Sequence, residues 1–140
     1  MIRKTTQKDL YTVYELICNL ENKKLNKQSF KDVFLSQLSD IRYSSFVYED
    51  NNVIKGFINC RIEPQLHHNK KIMEIMELIV LDNYRNKGIG HQLIDHIKQI
   101  ASSNDCERIE LNSSNWRKDA HRFYENNGFE KSHVNMTFDL

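Results

Sequence analysis

Leu78-Ile79-Val80-Leu81-Asp82-Asn83-Tyr84-Arg85-Asn86-Lys87-Gly88-Ile89-Gly90 decides how the rest of the chain is read. An apolar run enters a polar turn, and the turn enters two glycines at the head of an amphipathic segment. Ile72 to Leu81 has few polar interruptions and reads as a long strand. From Gly88 to Ser102, residues Ile89, Leu93, Ile97, Ile100 and Ala101 recur on one face of a helix. A helix that starts there turns its unpaired N–H groups and the positive end of its dipole toward the turn. Glycine, lacking Cβ, lets an oxyanion approach those amides, and Arg85 and Lys87 add positive charge. The stretch therefore predicts an anion site, with a diphosphate as the leading ligand. Two other phosphate motifs fail on spacing. The dinucleotide fingerprint needs a third glycine or alanine where Leu93 stands, although Glu110 sits near its ribose-binding spacing. A G-x-x-x-x-G-K-[ST] loop is absent.

Outward from this stretch, the chain alternates between the two regular periods. A short strand at Ile2 to Lys4 precedes a helix start with Thr6 as N-cap and Asp9 at the third position. Leu10, Val13, Tyr14, Ile17 and Leu20 form the apolar face of that helix. Glu21 to Gln28 is a polar connector, and Ser29 to Leu38 is a second helix with Phe30, Val33, Phe34 and Leu38 inward. Phe46-Val47-Tyr48 and Val53 to Ile62 read as strands joined by turn chemistry at Asp50-Asn51-Asn52. After the glycine helix come a strand at Arg108 to Leu111 and a helix at Lys118 to Asn127, closed by Gly128. Phe129 to Phe138 supplies a last strand. The order β-α-α-β-β-β-α-β-α-β predicts an α/β fold, a mixed sheet with helices on its faces.

Pro64 is the sole proline and only four glycines occur, so no linker or repeat divides the chain, and residues 1–140 are expected to form one domain. Lys plus Arg is 20 against 19 for Asp plus Glu, a net charge of +1, which argues against a nucleic-acid partner. No apolar run approaches the ~20 residues of a membrane span, and Met1 to Thr5 leads directly into polar sequence, so a cytoplasmic location is expected. Cys18, Cys60 and Cys106 are scattered and form no C-x-x-C pair, which supports neither a disulfide framework nor a cysteine zinc site.

Arg85-Asn86-Lys87-Gly88-Ile89-Gly90 after a long strand resembles the R-x-x-G-x-G signature of the GNAT N-acetyltransferase superfamily. Asp119-Ala120-His121-Arg122-Phe123-Tyr124-Glu125-Asn126-Asn127-Gly128-Phe129 is similar to its second signature, a helix that ends F-Y-x-x-x-G-F. Tyr14 to Cys18, Leu66-His67-His68, Glu74 to Leu78, and the 119–124 run followed by Ser132-His133 resemble the aminoalkylphosphonate N-acetyltransferases. The resemblance implies a mostly antiparallel central sheet with an acetyl-CoA cleft where two strands splay. It implies acetyl-CoA as co-substrate, with its diphosphate on amides of Lys87, Gly88, Ile89, Gly90 and His91. The pantetheine arm would lie on main-chain groups of Leu78, Ile79 and Val80, with Arg85, Asn86 and Arg117 adding contacts. It also implies a homodimer, and it leaves open a divalent metal near His67, His68 or Glu74.

Acetyl transfer to an amine poses two proton problems. An amine with pKa ~10 is protonated at neutral pH and cannot attack, so a base is needed. The departing thiol has a pKa of ~8.5, and its thiolate benefits from an acid. By resemblance, Tyr124 is the acid and Glu74 the base, with Glu77 second. Strand alternation points those glutamates to opposite faces unless a bulge intervenes. His67 and His68 would line the acceptor site. A phosphonate would need a further cation, and Arg42, Arg61, Lys70 and Lys71 are the candidates. No cysteine sits in a nucleophile setting, so the amine is expected to attack acetyl-CoA directly in a ternary complex. The alternatives are a polyamine, an amino-acid derivative or a protein amino group as acceptor, or a non-catalytic acyl-CoA-binding module.

Overall fold

Between Tyr43 and Val80 the alternating pattern becomes three long antiparallel strands, and the computed structural model, which describes residues 1–140, sets the other elements around them. The chain gathers into two compact units, Met1–Glu110 and Leu111–Leu140. The first contains β1 (Ile2–Lys4), α1 (Leu10–Glu21), α2 (Lys27–Leu38), β2 (Tyr43–Asp50), β3 (Val53–Gln65), β4 (Lys70–Val80), α3 (Ile89–Ser103) and nearly all of β5 (Cys106–Leu111). The sheet order is β1-β2-β3-β4-β5. The first four strands pair antiparallel in sequence order. β4 reaches its neighbour β5 through α3, the crossover that a parallel pair requires, so the sheet is mixed as expected.

Local chemistry explains the joints. Asn51 and Asn52 turn the β2–β3 hairpin with φ of 51° and 61°, the left-handed pair of a type I′ turn. Before α1, Asp9 accepts the Thr6 N–H at 2.8 Å and closes a 3-10 turn over Gln7–Asp9. The Arg3 guanidinium grips both Asp9 oxygens at 2.9 Å and holds that buried carboxyl below the usual carboxylate range.

The two sheet faces are covered differently. Leu10, Val13, Leu16 and Ile17 of α1 and Phe34 of α2 pack with Val47, Phe57 and Ile79. On the opposite face α3 buries Ile89, Leu93, Ile94, Ile97 and Ala101. Gly56 lets α3 come close, since a Cβ there would stand 3.1 Å from Ile89 Cγ2 and 3.2 Å from Leu93 Cδ1. Two expectations for α2 fail. Val33 and Leu38 are exposed, because the helix seats on the sheet mainly through Phe34. Ile94, absent from the expected face of α3, is fully buried, whereas Ile100 is only partly so.

In the second unit, α4 (Lys118–Asn126) ends as its sequence predicts. Gly128 takes φ of 91° and donates to Glu125 O, while Phe129 N–H reaches back to Tyr124 O at 3.0 Å. This is a Schellman closure, and the Tyr124–Phe129 ring contact at 5.6 Å supplies its customary apolar clasp. The F-Y-x-x-x-G-F pattern thus encodes a helix stop. The strand expected over Phe129–Phe138 does not form. Val134, Met136 and Phe138 alternate but are exposed, and alternation alone makes no strand without a paired main chain.

Candidate functional site

The glycine turn has the form its sequence implies. After β4 a 3-10 turn over Asp82–Tyr84 leads to Asn86 at φ 60° and Gly88 at φ 81°, and α3 begins at Ile89. No side chain caps that helix. A Cβ on Gly88 would meet nothing nearer than Gln92 Nε2 at 4.0 Å, so backbone conformation, not crowding, calls for glycine. The Tyr84 ring lies 4.5 Å from Lys55 Nζ and 5.7 Å from Lys87 Nζ, which gathers two ammonium groups at the turn. Lys55, a β3 residue that sequence reading passed over, is brought there by strand pairing. Arg85 braces the turn: its Nε donates to Val80 O at 3.0 Å and its Nη2 pairs with Asp82 at 3.0 Å. His91, on the first turn of α3, pairs with Asp95 at 3.1 Å.

Leu78, Ile79 and Val80 pair with Ile58, Phe57 and Gly56 on the β3 side. On the other side, β4 and β5 touch over a short stretch only. Their starts are together, where Lys70, Lys71, Cys106 and Glu107 line one depression. Main-chain groups of β4 that carry no ladder bond toward β5 would be able to bind a ligand.

A bulge decides where the glutamates point. Asn59 pairs with Glu77, but Cys60 pairs with Ile75, so Met76 is an extra residue in β4. Arg61 then pairs with Glu74. Asn59 and Arg61 are two apart on β3 and share a face, so Glu74 and Glu77 share it too. The opposite orientation expected from unbroken alternation is thereby reversed. Asn59 is buried and donates from Nδ2 to Glu77 Oε1 at 3.0 Å and to Gln37 Oε1 of α2 at 2.9 Å. Burial pushes the Glu77 carboxyl above the usual carboxylate range. The Asn59 hydrogen bond opposes the rise, and the charges of Glu21 and Glu74 add to it. Glu74 Oε1 instead lies 3.3 Å from Arg61 Nη2. A cavity of about 100 Å³ adjoins Asn59 and Gln37, lined also by Thr5, Tyr43 and Ser45.

Other expected residues lie elsewhere. His67 and His68 are in the β3–β4 turn, and the rise of a strand sets the start of β4 roughly 23 Å from Glu77. His68 Nδ1 is 3.0 Å from Glu107 and Nε2 is 3.7 Å from Glu110, so β5 engages both ring nitrogens. No three His, Cys, Asp or Glu side chains converge to hold a metal ion. In the second unit, Tyr124 packs its ring 5.3 Å from Phe123, and the Arg117 guanidinium stands 4.9 Å over the Trp116 ring. Sequence reading missed Asn59 and Gln37. A lone asparagine inside the apolar run Gly56-Phe57-Ile58-Asn59-Cys60 was the available signal for the first.

The chain matches the model of the Acetyltransferase (GNAT) family over residues 10–129. It is 36% identical over 136 residues to the aminoalkylphosphonate N-acetyltransferase of Salmonella typhimurium, covering 97% of this chain and 88% of that protein. It is 26% identical over 146 aligned positions to the glucosamine 6-phosphate N-acetyltransferase of Trypanosoma brucei brucei, covering 99% and 95%. Among solved structures, AAC(6')-Iy in complex with the bisubstrate analogue CoA-S-monomethyl-acetylneamine is similar in fold, with a TM-score of 0.89 at 17% identity, covering 100% of this chain and 97% of that one.

Proposed function

Because the chain belongs to the acetyltransferase (GNAT) family, we propose that it N-acetylates a small primary amine that carries an anionic group, an aminoalkylphosphonate being the leading acceptor. The observation that carries the reading is Glu77, a partly buried carboxylate held by Asn59 with its affinity for a proton raised. A base poised nearer neutral pH than an ordinary carboxylate takes a proton from an ammonium more effectively. We therefore place the base at Glu77, the carboxylate that Asn59 holds, ahead of Glu74.

The acetyl donor of this family is acetyl-CoA. The uncapped start of α3, Gly88 at positive φ, and the Lys87 ammonium suit its diphosphate, while the Lys55 ammonium nearby is held by Asp50 at 2.8 Å. Amides from Lys87 to His91 would hold that group, and main-chain groups of Leu78 to Val80 that face away from β3 would hold the arm, the Val80 carbonyl on release from Arg85. Glu77 takes the proton from the acceptor ammonium, directly or through water. The freed nitrogen attacks the thioester carbonyl, and the C–S bond breaks as the new C–N bond is kept. Tyr124, assigned by its place in the F-Y-x-x-x-G-F pattern, gives its proton to the departing sulfur, and the second proton that the nitrogen loses as the amide forms restores the phenol through solvent.

Thiol release from acetyl-CoA across a panel of amines tests this reading. The panel contains aminomethyl- and aminoethylphosphonate, polyamines, amino acids and an N-terminal peptide. Saturable release greatest with the phosphonates is expected. Release confined to another amine would discard the anionic acceptor, and tight acetyl-CoA binding without release from any amine would discard the catalytic assignment.

A further inference from the structure

We propose that Arg61 anchors the anionic end of the acceptor, so that the site selects an amine with an oxyanion group a short spacer away. This deepens the acceptor reading above and rests on it. Arg61 follows Asn59 by two residues on β3, and both share the face that carries Glu74 and Glu77. Two residues of strand separate the guanidinium stem from the Asn59–Glu77 pair by about 7 Å. That span suits a molecule whose nitrogen meets Glu77 while its far oxygens meet Arg61. Tyr43 pairs with Arg61 in the β2–β3 register, and its side chain hydrogen-bonds the guanidinium and favours its charged form.

The guanidinium is oriented but not saturated. Nη2 is shared between Glu63 Oε1 and Glu74 Oε1, each at 3.3 Å, long for charged pairs. Nε is buried with no hydrogen-bond partner. An unpaired buried N–H is costly, and a planar fork of donors fits a phosphonate or carboxylate through two parallel bonds. An arriving oxyanion would supply the acceptor that Nε lacks, and it would compete with the Tyr43 side chain and displace the long contacts to Glu63 and Glu74. The other cations named by the sequence are placed less well. Arg42 is tied to Asp40 at 2.8 Å, and Lys70 and Lys71 line the depression at the start of β4.

The test compares aminoethylphosphonate with propylamine, an acceptor without the anion, in the wild type and in Arg61→Gln and Arg61→Lys. Arg61→Gln is expected to lower the ratio of kcat/KM for the phosphonate over propylamine about 10- to 100-fold, the range for a lost charged hydrogen-bond pair. Arg61→Lys should recover part of that ratio, because it restores the charge and not the fork. A ratio that stays at the wild-type value in both variants overturns the anchor, as does an equal loss on both amines. A wild-type enzyme that favours propylamine overturns the anionic acceptor and the anchor together. A wild type that favours the phosphonate, with variants that follow it, overturns the anchor alone. Should Arg61→Gln fail to bind acetyl-CoA and so be misfolded, Arg61→Lys decides the matter by the same ratio.

Discussion

The turn from Asp82 to Gly90 and the polar end of the sheet face, from Gln37 and Asn59 to Glu77, are built by opposite means. The turn offers main chain: two left-handed residues, Asn86 and Gly88, and a helix start without a side-chain cap. Its residues are consecutive, and its chemistry would hold any diphosphate of suitable shape. The polar face offers side chains. Gln37 comes from α2, Asn59 and Arg61 from β3, and Glu74 and Glu77 from β4. They meet only because strands pair in one register and because Met76 is extra. A main-chain site tolerates changes of side chain, whereas a side-chain site changes its specificity with each replacement. Under the proposed function, the shared donor falls to the turn and the distinctive acceptor to the face.

The sharpest way to break that division is Glu77→Gln. It should lower kcat about 10²- to 10⁴-fold, the range for a lost general base, with acetyl-CoA affinity by titration calorimetry held at the wild-type value. A larger loss in Glu74→Gln than in Glu77→Gln would move the base to Glu74. Tyr124→Phe tests the second unit's part in the chemistry. A loss of about 10- to 100-fold in turnover, without a change in acetyl-CoA affinity, is expected for removal of a proton donor. Turnover near wild type would reduce Tyr124 to the apolar clasp of its helix stop.

Gly88→Ala tests the other half of the comparison. Holding a side chain in the left-handed region costs about 1–2 kcal/mol, so acetyl-CoA affinity should fall about tenfold as the turn relaxes. The selectivity among amines should be untouched, because the proposed acceptor residues, Glu77 and Arg61, lie outside the turn. A shift in amine preference with donor affinity intact would mean that the two halves are not separate.

How far the sequence could be read follows from the same contrast. The turn, the Asn51-Asn52 hairpin and the Gly128 helix stop depend on residues within a few positions of one another, and each was legible. The Glu77 site was not, since period-two alternation sends residues 74 and 77 to opposite faces and only pairing with β3 reveals the bulge. Asn59 was visible as a polar residue in an apolar run, but its partner Gln37 is twenty-two positions away on another element. The expected strand over Phe129–Phe138 failed for a related reason: alternation specifies a face, and pairing must come from elsewhere. Only resemblance points to His67 and His68, and the length of β4 carries them to the far end of the sheet from Glu77.

The smallest expected effect is the most specific. Asn59→Leu keeps the volume and removes the amide that donates to Glu77. That hydrogen bond stabilises the charged carboxylate, so without it burial and the charges of Glu21 and Glu74 act unopposed. The proton affinity of Glu77 must rise, and the acid limb of kcat/KM against pH should move to higher pH. The loss should therefore be greatest on the acid side and should shrink as the pH is raised through the displaced limb. Gln37→Leu, which removes only the second acceptor of the Asn59 amide, should displace the limb less and in a direction set by how freely that amide then follows Glu77. A limb that stays in place while activity falls uniformly would make Asn59 a packing residue and would leave the position of Glu77 to burial alone.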